Sequence, residues 1–199
     1  QETARKLAND FRLILCGRRQ ERLDELQTEL SKFTEVTTLN FDVRDKIAVF
    51  NAIENLPENF KQIDVLINNA GNAHGLAPFQ DADLEDLEAM MDGNVKGIIY
   101  TTKAVLPLMI PSGNGHIINI SSIAGKQVYT NGTTYCASKW AVEALSKGMR
   151  LDLLPLGIKV TNVAPGAVDT EFSLVRFKGD ENRSQQVYNG FQPLTAKDV

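Results

Sequence analysis

The sequence predicts an α/β fold with one doubly wound parallel sheet and helices on both of its faces. Short apolar runs rich in β-branched residues alternate with longer helical patterns along the 199 residues. Strands buried on both faces give such continuous apolar runs, and helical crossovers between them make the strands parallel. The length of the chain indicates a single domain, residues 1–199, with a substantial buried core.

Five apolar runs are the predicted strands, at residues 12–17, 36–41, 65–68, 116–121 and 159–163. The segments between them carry apolar side chains at three- and four-residue spacing, as Leu23, Leu26 and Leu30 do, which is typical of amphipathic helices. The predicted helices are residues 20–31, 44–55, 81–108 and 133–154. Residues 1–8 have a helical pattern without an N-cap, so we expect further residues before them.

Composition indicates a small-molecule partner. The net charge of −4 and the pI near 5.3 argue against binding to nucleic acid or to an anionic membrane, since both require basic surfaces. Two cysteines, Cys16 and Cys136, make neither a disulfide framework nor a metal-ligand cluster, so we expect a reducing cytoplasm and no metal. No apolar run approaches the roughly 20 residues of a membrane span, which predicts a soluble protein.

Tyr135 and Lys139 are the most informative pair in the sequence. They are four residues apart in a predicted helix, so their side chains lie on one face, about 6 Å apart. A tyrosine loses its proton near pH 10, but a positive neighbour favours the phenolate. At an effective dielectric constant of about 20, one charge at that distance contributes roughly 2.8 kcal/mol, or about two pKa units. The pair therefore predicts a phenol with a pKa of about 8 that transfers protons.

A Tyr-x-x-x-Lys pair also occurs on amphipathic helices without any catalytic role, so its companions matter. Ser122 lies thirteen residues before Tyr135, directly after the predicted strand 116–121. It is therefore expected at the carboxyl end of a parallel strand, where open α/β sheets bind their ligands. Ser122 is preferred to Ser121 partly because neighbouring strand residues point to opposite faces.

Three further motifs occur in order along the chain: Asn68-Asn69-Ala70-Gly71, Gly93-Asn94-Val95-Lys96 and Pro165-Gly166-Ala167-Val168-Asp169-Thr170. Together with Ser122 and the Tyr135 pair they resemble the short-chain dehydrogenase/reductase family, from Arg5 to the last residue. The resemblance implies a Rossmann-like, three-layer αβα fold and hydride transfer between a nicotinamide and a carbinol carbon. In isolation the first motif would be an Asn-rich turn and Asn94 an ordinary helix residue.

The resemblance implies a catalytic tetrad of Asn94, Ser122, Tyr135 and Lys139. Tyr135 would remove the hydroxyl proton as hydride leaves, and Ser122 would hydrogen-bond the same oxygen. Lys139 would lower the pKa of the phenol and bind the nicotinamide ribose. Asn94 would anchor a relay water through its backbone carbonyl.

The cofactor is expected to be NADP, because Arg18 and Arg19 follow the predicted strand 12–17 and no acidic residue stands there. An acidic residue at this position accepts hydrogen bonds from a free 2′-hydroxyl, whereas guanidinium groups bind a 2′-phosphate. The alternative is two solvated arginines at a helix start, where the helix dipole disfavours cations. The family pattern adds further cofactor-binding residues: Asp42, Val43, Asn69, Ala70, Gly71, Tyr135, Lys139, Pro165, Gly166, Val168 and Thr170.

Residues 172–180, with Val187 and Tyr188, resemble a subgroup of NADP-dependent 3-hydroxy acid dehydrogenases that oxidise serine and allo-threonine. The family places its mobile substrate lid in this segment. A carboxylate substrate needs a cation, and Arg176 or Lys178 could supply it. The predicted substrate-binding residues are Ser122, Tyr135 and Arg176. His74 either lines the same pocket or lies on the surface, and the surface position is the one expected.

The chain departs from the family pattern at both ends. The glycine-rich loop Thr-Gly-x-x-x-Gly-Ile-Gly and the strand before it do not occur, and residues 194–199 resemble the start of a helix that precedes a last strand. We therefore expect a chain truncated at both ends, with a gap of about two strand spacings, roughly 9 to 10 Å, next to the strand 12–17. Such a fragment is expected to be unstable and inactive alone.

Three alternatives remain at this stage. One is a reductase of the same fold that acts on another carbonyl substrate. A non-catalytic NADP-binding regulator would be expected to lose Ser122, Tyr135 or Lys139, and all three are present. A nucleotide-sugar epimerase shares Tyr-x-x-x-Lys but resembles this chain less around Asn68 and Pro165. The helices 81–108 and 133–154 resemble those of a four-helix interface, so the complete form is expected to be a homotetramer.

Overall fold

A computed structural model describes residues 1–199. Its strands are β1 (Leu13–Gly17), β2 (Val36–Asn40), β3 (Val65–Asn68), β4 (His116–Ile120), β5 (Lys159–Val163), β6 (Val168–Asp169) and β7 (Leu194–Thr195). Its helices are α1 (Glu2–Leu7), α2 (Gln20–Leu30), α3 (Lys46–Glu54), α4 (Leu84–Met91), α5 (Gly97–Met109), α6 (Thr133–Leu153), α7 (Glu171–Arg176) and α8 (Glu181–Gln186).

All strand pairs are parallel, but the predicted sheet is divided. β1 pairs with β2, and β3, β4 and β5 form a second sheet in which Val65 lies opposite His116 and His116 opposite Lys159. No ladder joins β1 to β3, so the break falls where the sequence analysis places the gap. A small parallel pair, β6 with β7, was not predicted.

One hydrophobic cluster joins the two parts of the sheet. Phe41, which follows β2, packs in the same cluster as Ile117 of β4 and Val160 of β5. Val49 of α3 and Met109 of α5 complete its interior, both with fully buried side chains. A large apolar side chain stabilises a fold by roughly 1.5–3 kcal/mol when it is fully buried. This shared core packs the β1–β2 pair against the three-stranded sheet.

The five predicted strands and the helices 20–31, 44–55 and 133–154 agree with the structure to within two residues at each end. The predicted helix 81–108 begins later, at Leu84, because the Asp83 carboxylate caps it by accepting the Glu85 N–H. A π-helical turn over Asp92–Lys96 separates α4 from α5 and carries Asn94. The predicted helix at 194–199 is wrong: Thr195 lies in β7, and Asp198 accepts its N–H and hydroxyl within a turn.

No helix combines the length and the apolar character needed to cross a membrane. Both cysteine thiols are free.

Candidate active site

The first turns of α6 bring Tyr135 and Lys139 to the carboxyl edge of the β3–β5 sheet. Both side chains are buried, with 8 % and 6 % exposure. The Lys139 Nζ lies 5.9 Å from the centre of the Tyr135 ring and donates a hydrogen bond to the Ile120 carbonyl at 3.0 Å. The two side chains therefore share one helix face and one strand end, as their spacing predicts.

Ser122 lies directly after β4 and begins a short 3₁₀ turn. Its hydroxyl accepts the Ala124 N–H at 3.1 Å and is close enough to Tyr135 to lower the pKa of the phenol. Ser121 is buried on the other side, where its hydroxyl donates to the Lys139 carbonyl at 3.3 Å. Of the two serines, Ser122 is therefore the one next to Tyr135.

The pKa values of Tyr135 and Lys139 differ from the expectation. Burial is the largest influence on Tyr135 and raises its pKa to about 12, although the Ser122 hydroxyl and the Arg176 guanidinium lower it. Burial also lowers the pKa of Lys139 to about 8. The expected lowering of the phenol pKa is therefore wrong in this structure, because loss of solvation outweighs the Ser122 hydrogen bond and the Arg176 charge. At neutral pH the phenol holds its proton and is a proton donor.

The π-helical turn presents Asn94, which is 1 % exposed, between the loop after β3 and helix α6. Its Oδ1 accepts the Asn72 N–H at 2.7 Å, and its Nδ2 donates to the Asn72 carbonyl at 2.8 Å and to the Ser138 hydroxyl at 2.9 Å. Gly71 is needed beside it, since a Cβ there would lie 2.9 Å from the Asn94 Oδ1. Asn94 was predicted from the sequence, but its partners Asn72 and Ser138 were not.

A cavity opens beside Tyr135, bounded by α4, by the loop after β3 and by the end of α7. Arg176 lies in it with its guanidinium carbon 5.7 Å from the centres of the Tyr135 and Tyr129 rings. Its Nε donates to the Gly75 carbonyl at 2.9 Å. Arg176 takes part in none of the salt bridges of the structure, so its charge has no acidic partner.

Two other predictions about this cavity are tested by the geometry. His74 lines the cavity and is half-buried, so the expectation of a surface histidine is wrong; burial lowers the pKa of its imidazole. Lys178 pairs with Asp86 of α4 at 2.9 Å. Of the two cations considered for a carboxylate substrate, only Arg176 is thus without an acidic partner.

The carboxyl end of β1 carries the predicted phosphate-binding residues. The side chains of Arg18 and Arg19 are 59 % and 60 % exposed. Arg18 contacts Asp42 at 3.4 Å, whereas Arg19 donates two hydrogen bonds of 3.1 Å to Glu171, the first residue of α7. Arg22 also pairs with Glu171. Arg22 and Glu171 were not predicted, because nothing in one sequence indicates that residues about 150 positions apart are in contact.

The remaining predicted cofactor residues lie along the same edge. Asn69, Ala70 and Gly71 are exposed after β3, and Thr170 caps α7 by accepting the Phe172 N–H at 3.2 Å. Val43 lies against Gly97, where an added Cβ would be 2.8 Å from its Cγ2. Pro165 and Gly166 are half-buried in the turn that follows β5, and Val168, also half-buried, begins β6.

A parallel α/β fold with a buried Tyr–Lys pair at the carboxyl edge of its sheet is the arrangement of a dinucleotide-dependent oxidoreductase. The family model described as short chain dehydrogenase matches residues 1–180. The chain therefore belongs to the short-chain dehydrogenase family.

Two curated relatives are similar along nearly the whole chain. Sulfoacetaldehyde reductase 2 of Chromohalobacter salexigens is 46 % identical over 198 residues, which cover 98 % of this chain and 79 % of the relative. The NADP-dependent 3-hydroxy acid dehydrogenase YdfG of Escherichia coli K12 is 43 % identical over 198 residues, 99 % of this chain and 79 % of the relative.

Two solved dehydrogenase structures superpose on nearly the whole chain. The closed form of a serine dehydrogenase complexed with NADP+ superposes with a TM-score of 0.94 at 42 % identity, covering all of this chain and 80 % of that one. A gluconate 5-dehydrogenase from Burkholderia cenocepacia, in complex with NADP and tartrate, gives a TM-score of 0.86 at 28 % identity, covering 99 % and 78 %.

Proposed function

We propose that this chain transfers a hydride between NADP(H) and the carbinol or carbonyl carbon of a small hydroxy acid, such as serine, allo-threonine or 3-hydroxyisobutyrate. The similarity to NADP-dependent 3-hydroxy acid dehydrogenases and to a serine dehydrogenase supports this assignment. The single observation that carries it is the position of Arg176, a cation without an acidic partner in the same cavity as the Tyr135 phenol.

Arg176 is proposed to bind the acid group of the substrate. Its Nε donates to the Gly75 carbonyl, and its guanidinium is close enough to Tyr129 to offset part of the rise that burial causes in the pKa of that phenol. The carboxylate is therefore proposed to bind at the terminal nitrogens. A guanidinium suits this task because its paired donors match the two oxygens of a carboxylate. With the acid group fixed at Arg176, the hydroxyl of the substrate is directed toward Tyr135 and Ser122.

Tyr135, Ser122, Lys139 and Asn94 are proposed to handle the proton. The Tyr135 hydroxyl gives its proton to the carbonyl oxygen in reduction; in oxidation the phenolate, formed by loss of that proton to solvent, receives the substrate proton. The Ser122 hydroxyl donates a hydrogen bond to the same oxygen, and the Lys139 ammonium stabilises the phenolate. Asn94 is proposed to connect the pair to solvent through its main-chain carbonyl, because both N–H groups of its side chain are already used.

The residues along the carboxyl edge fit NADP. Two exposed guanidinium groups, Arg18 and Arg19, suit a 2′-phosphate, and the exposed backbone of 69–71 leaves room for the adenosine half. Lys139 and Thr170 are proposed to hold the nicotinamide end. The cofactor, when bound, accepts or supplies the hydride.

A second substrate class is favoured by one observation, the 46 % identity with a sulfoacetaldehyde reductase. In sulfoacetaldehyde, as in a 3-hydroxy acid, one carbon separates the reacting carbon from the anionic group. A guanidinium at Arg176 suits a sulfonate as well as a carboxylate. The same cavity therefore accommodates the reduction of a sulfonated aldehyde.

We also propose one domain over residues 1–199, a cytoplasmic location, which the two free thiols support, and a homotetramer in the complete form. Exposed apolar side chains on α5 and α6, among them Ile99, Trp140 and Leu151, support assembly through these helices. Light scattering on the full-length gene product measures the assembly directly.

The experiment that tests the function follows absorbance at 340 nm with the full-length gene product. In the forward direction NADP is combined in turn with serine, allo-threonine and 3-hydroxyisobutyrate, and in the reverse direction NADPH with sulfoacetaldehyde. Turnover with the hydroxy acids supports the first substrate class, and turnover with the aldehyde alone supports the second. No signal with any of them contradicts the proposal.

A further inference from the structure

Helix α6 contains two buried serines in nearly identical surroundings. Ser138 and Ser146 are both fully buried, and each donates its hydroxyl proton to a carbonyl of the preceding helical turn at 2.7 Å. Each also accepts a hydrogen bond of 2.9 Å from the Nδ2 of a buried asparagine. For Ser138 that asparagine is Asn94, and for Ser146 it is Asn119 of β4. The main difference between the two serines is that Asn94 belongs to the proposed catalytic residues, whereas Asn119 does not.

Ser138 is the last side chain in a series of hydrogen bonds that ends at the main chain of Tyr135, in the first turns of α6. The Asn72 main chain holds the Asn94 carboxamide at both its oxygen and its nitrogen, and the Asn94 Nδ2 donates to the Ser138 Oγ. The Ser138 Oγ in turn donates to the carbonyl of Tyr135. The series joins the loop after β3, the π-helical turn and α6, the three segments that meet beside Lys139.

We propose that Ser138 is a positioning residue for proton transfer: it fixes Asn94 and the π-helical turn relative to Tyr135. This inference rests on the function proposed above. Asn94 has two side-chain N–H groups: one donates to the Asn72 carbonyl, and Ser138 Oγ is the acceptor for the other. Without the hydroxyl, one Asn94 N–H is buried without a partner, and the carboxamide is free to rotate away from its position.

The predicted effect of Ser138→Ala is kinetic. We expect kcat for hydride transfer to fall about tenfold, as expected for one lost hydrogen bond, while KM for the hydroxy acid changes less than about threefold. Ser146→Ala is the matched control, because it removes the same kind of hydrogen bonds from the same helix but not from Asn94. It is expected to leave kcat within about twofold of the unmodified protein.

A double-mutant cycle separates positioning from general loss of structure. If Ser138 acts through Asn94, adding Ser138→Ala to Asn94→Ala lowers kcat no further, whereas Ser146→Ala has the same small effect in both backgrounds. If Ser138→Ala lowers kcat by the same factor in the unmodified protein and in the Asn94→Ala variant, the proposal is overturned. Equal kcat losses for Ser138→Ala and Ser146→Ala overturn it as well.

Amide hydrogen exchange of the protein without substrate provides a readout that does not depend on turnover. Ser138→Ala is expected to accelerate exchange in residues 92–96 about tenfold, and Ser146→Ala to leave it unchanged. If no substrate gives turnover, the proposed function fails, and exchange alone decides the role of Ser138. Unaltered exchange in Ser138→Ala contradicts the proposal.

Discussion

Arg176 and Gly75 hold each other through two hydrogen bonds. The Gly75 N–H donates to the Arg176 carbonyl at 2.9 Å, and the Arg176 Nε donates to the Gly75 carbonyl at 2.9 Å. The contact fixes the end of α7 against the loop after β3, 101 residues earlier. It also orients the guanidinium over the Tyr135 ring. The contact that closes the cavity therefore also orients the cation proposed to bind the substrate.

Replacing Arg176 by methionine is expected to weaken binding of the acid group. A charge-assisted hydrogen-bonded pair is worth roughly 1.5–3 kcal/mol, so KM for a 3-hydroxy acid should rise by about 10- to 100-fold. Initial rates at 340 nm over a range of substrate concentrations measure it. Lys178→Met is the control on the same segment, since Lys178 is paired with Asp86 and exposed. A larger effect of Lys178→Met would assign the acid group to the other cation.

Replacing Glu171 by glutamine is expected to strengthen NADP binding. Hydrogen bonds from Arg22 and Arg19 lower the pKa of Glu171 to about 2, so its carboxylate is charged and competes with a 2′-phosphate for these guanidinium groups. NADPH fluorescence titration should give a several-fold lower Kd, while the Kd for NADH, which has no 2′-phosphate, stays the same. Equal changes in Kd for NADPH and NADH would show that Glu171 does not act through the 2′-phosphate.

Tyr135→Phe is expected to abolish turnover and preserve the fold. General acid–base catalysis contributes about 10²- to 10⁴-fold, and phenylalanine removes only the hydroxyl. Tyr100→Phe removes the hydroxyl of a tyrosine on α5 that does not line the cavity, so this control variant should remain active. Rates at 340 nm and thermal unfolding of both variants check this. An active Tyr135→Phe enzyme would remove Tyr135 from the mechanism.

The contribution of Lys139 to the free energy of unfolding should rise with pH between about 8 and 10.5, whereas the raised pKa values of the Cys16 thiol and the Tyr135 phenol act in the opposite direction at the upper end of this range. Burial lowers the pKa of Lys139 from 10.5 to about 8, so in this range the unfolded chain binds a proton that the folded protein does not. The contribution is present above pH 10.5 and lost as the pH falls to 8, with a size of about 3 kcal/mol. Urea unfolding at pH 8 and 10 measures it, and Lys139→Met should lack this rise. A parallel pH dependence in both proteins would contradict the buried-lysine account.

The strands and most helices were predictable because apolar spacing is a local property of the sequence. The Tyr135–Lys139 face was predictable for the same reason, since one helix fixes both residues. The π-helical turn was not, because the pattern from 81 to 108 is that of one helix, and the hydrogen bonds of Asn94 to Asn72 and Ser138 join residues that are far apart in the sequence.

Electrostatic properties were the least predictable from sequence. The spacing of Tyr135 and Lys139 gives their separation, but burial, which raises the phenol pKa, depends on the packing of α4, α6 and α7 around the ring. The pairing of Glu171 with Arg19 likewise depends on where α7 lies relative to β1. Such long-range contacts are set by the tertiary structure and leave no local signal.

The most direct test of the central claim compares 3-hydroxyisobutyrate with its methyl ester, using NADP and the full-length gene product at 340 nm. The acid and the ester have the same reacting carbon, but only the acid presents an anion to Arg176. The account predicts NADPH formation with the acid and at least about tenfold lower kcat/KM with the ester. No NADPH formation with the acid, or equal kcat/KM for the two compounds, would contradict it.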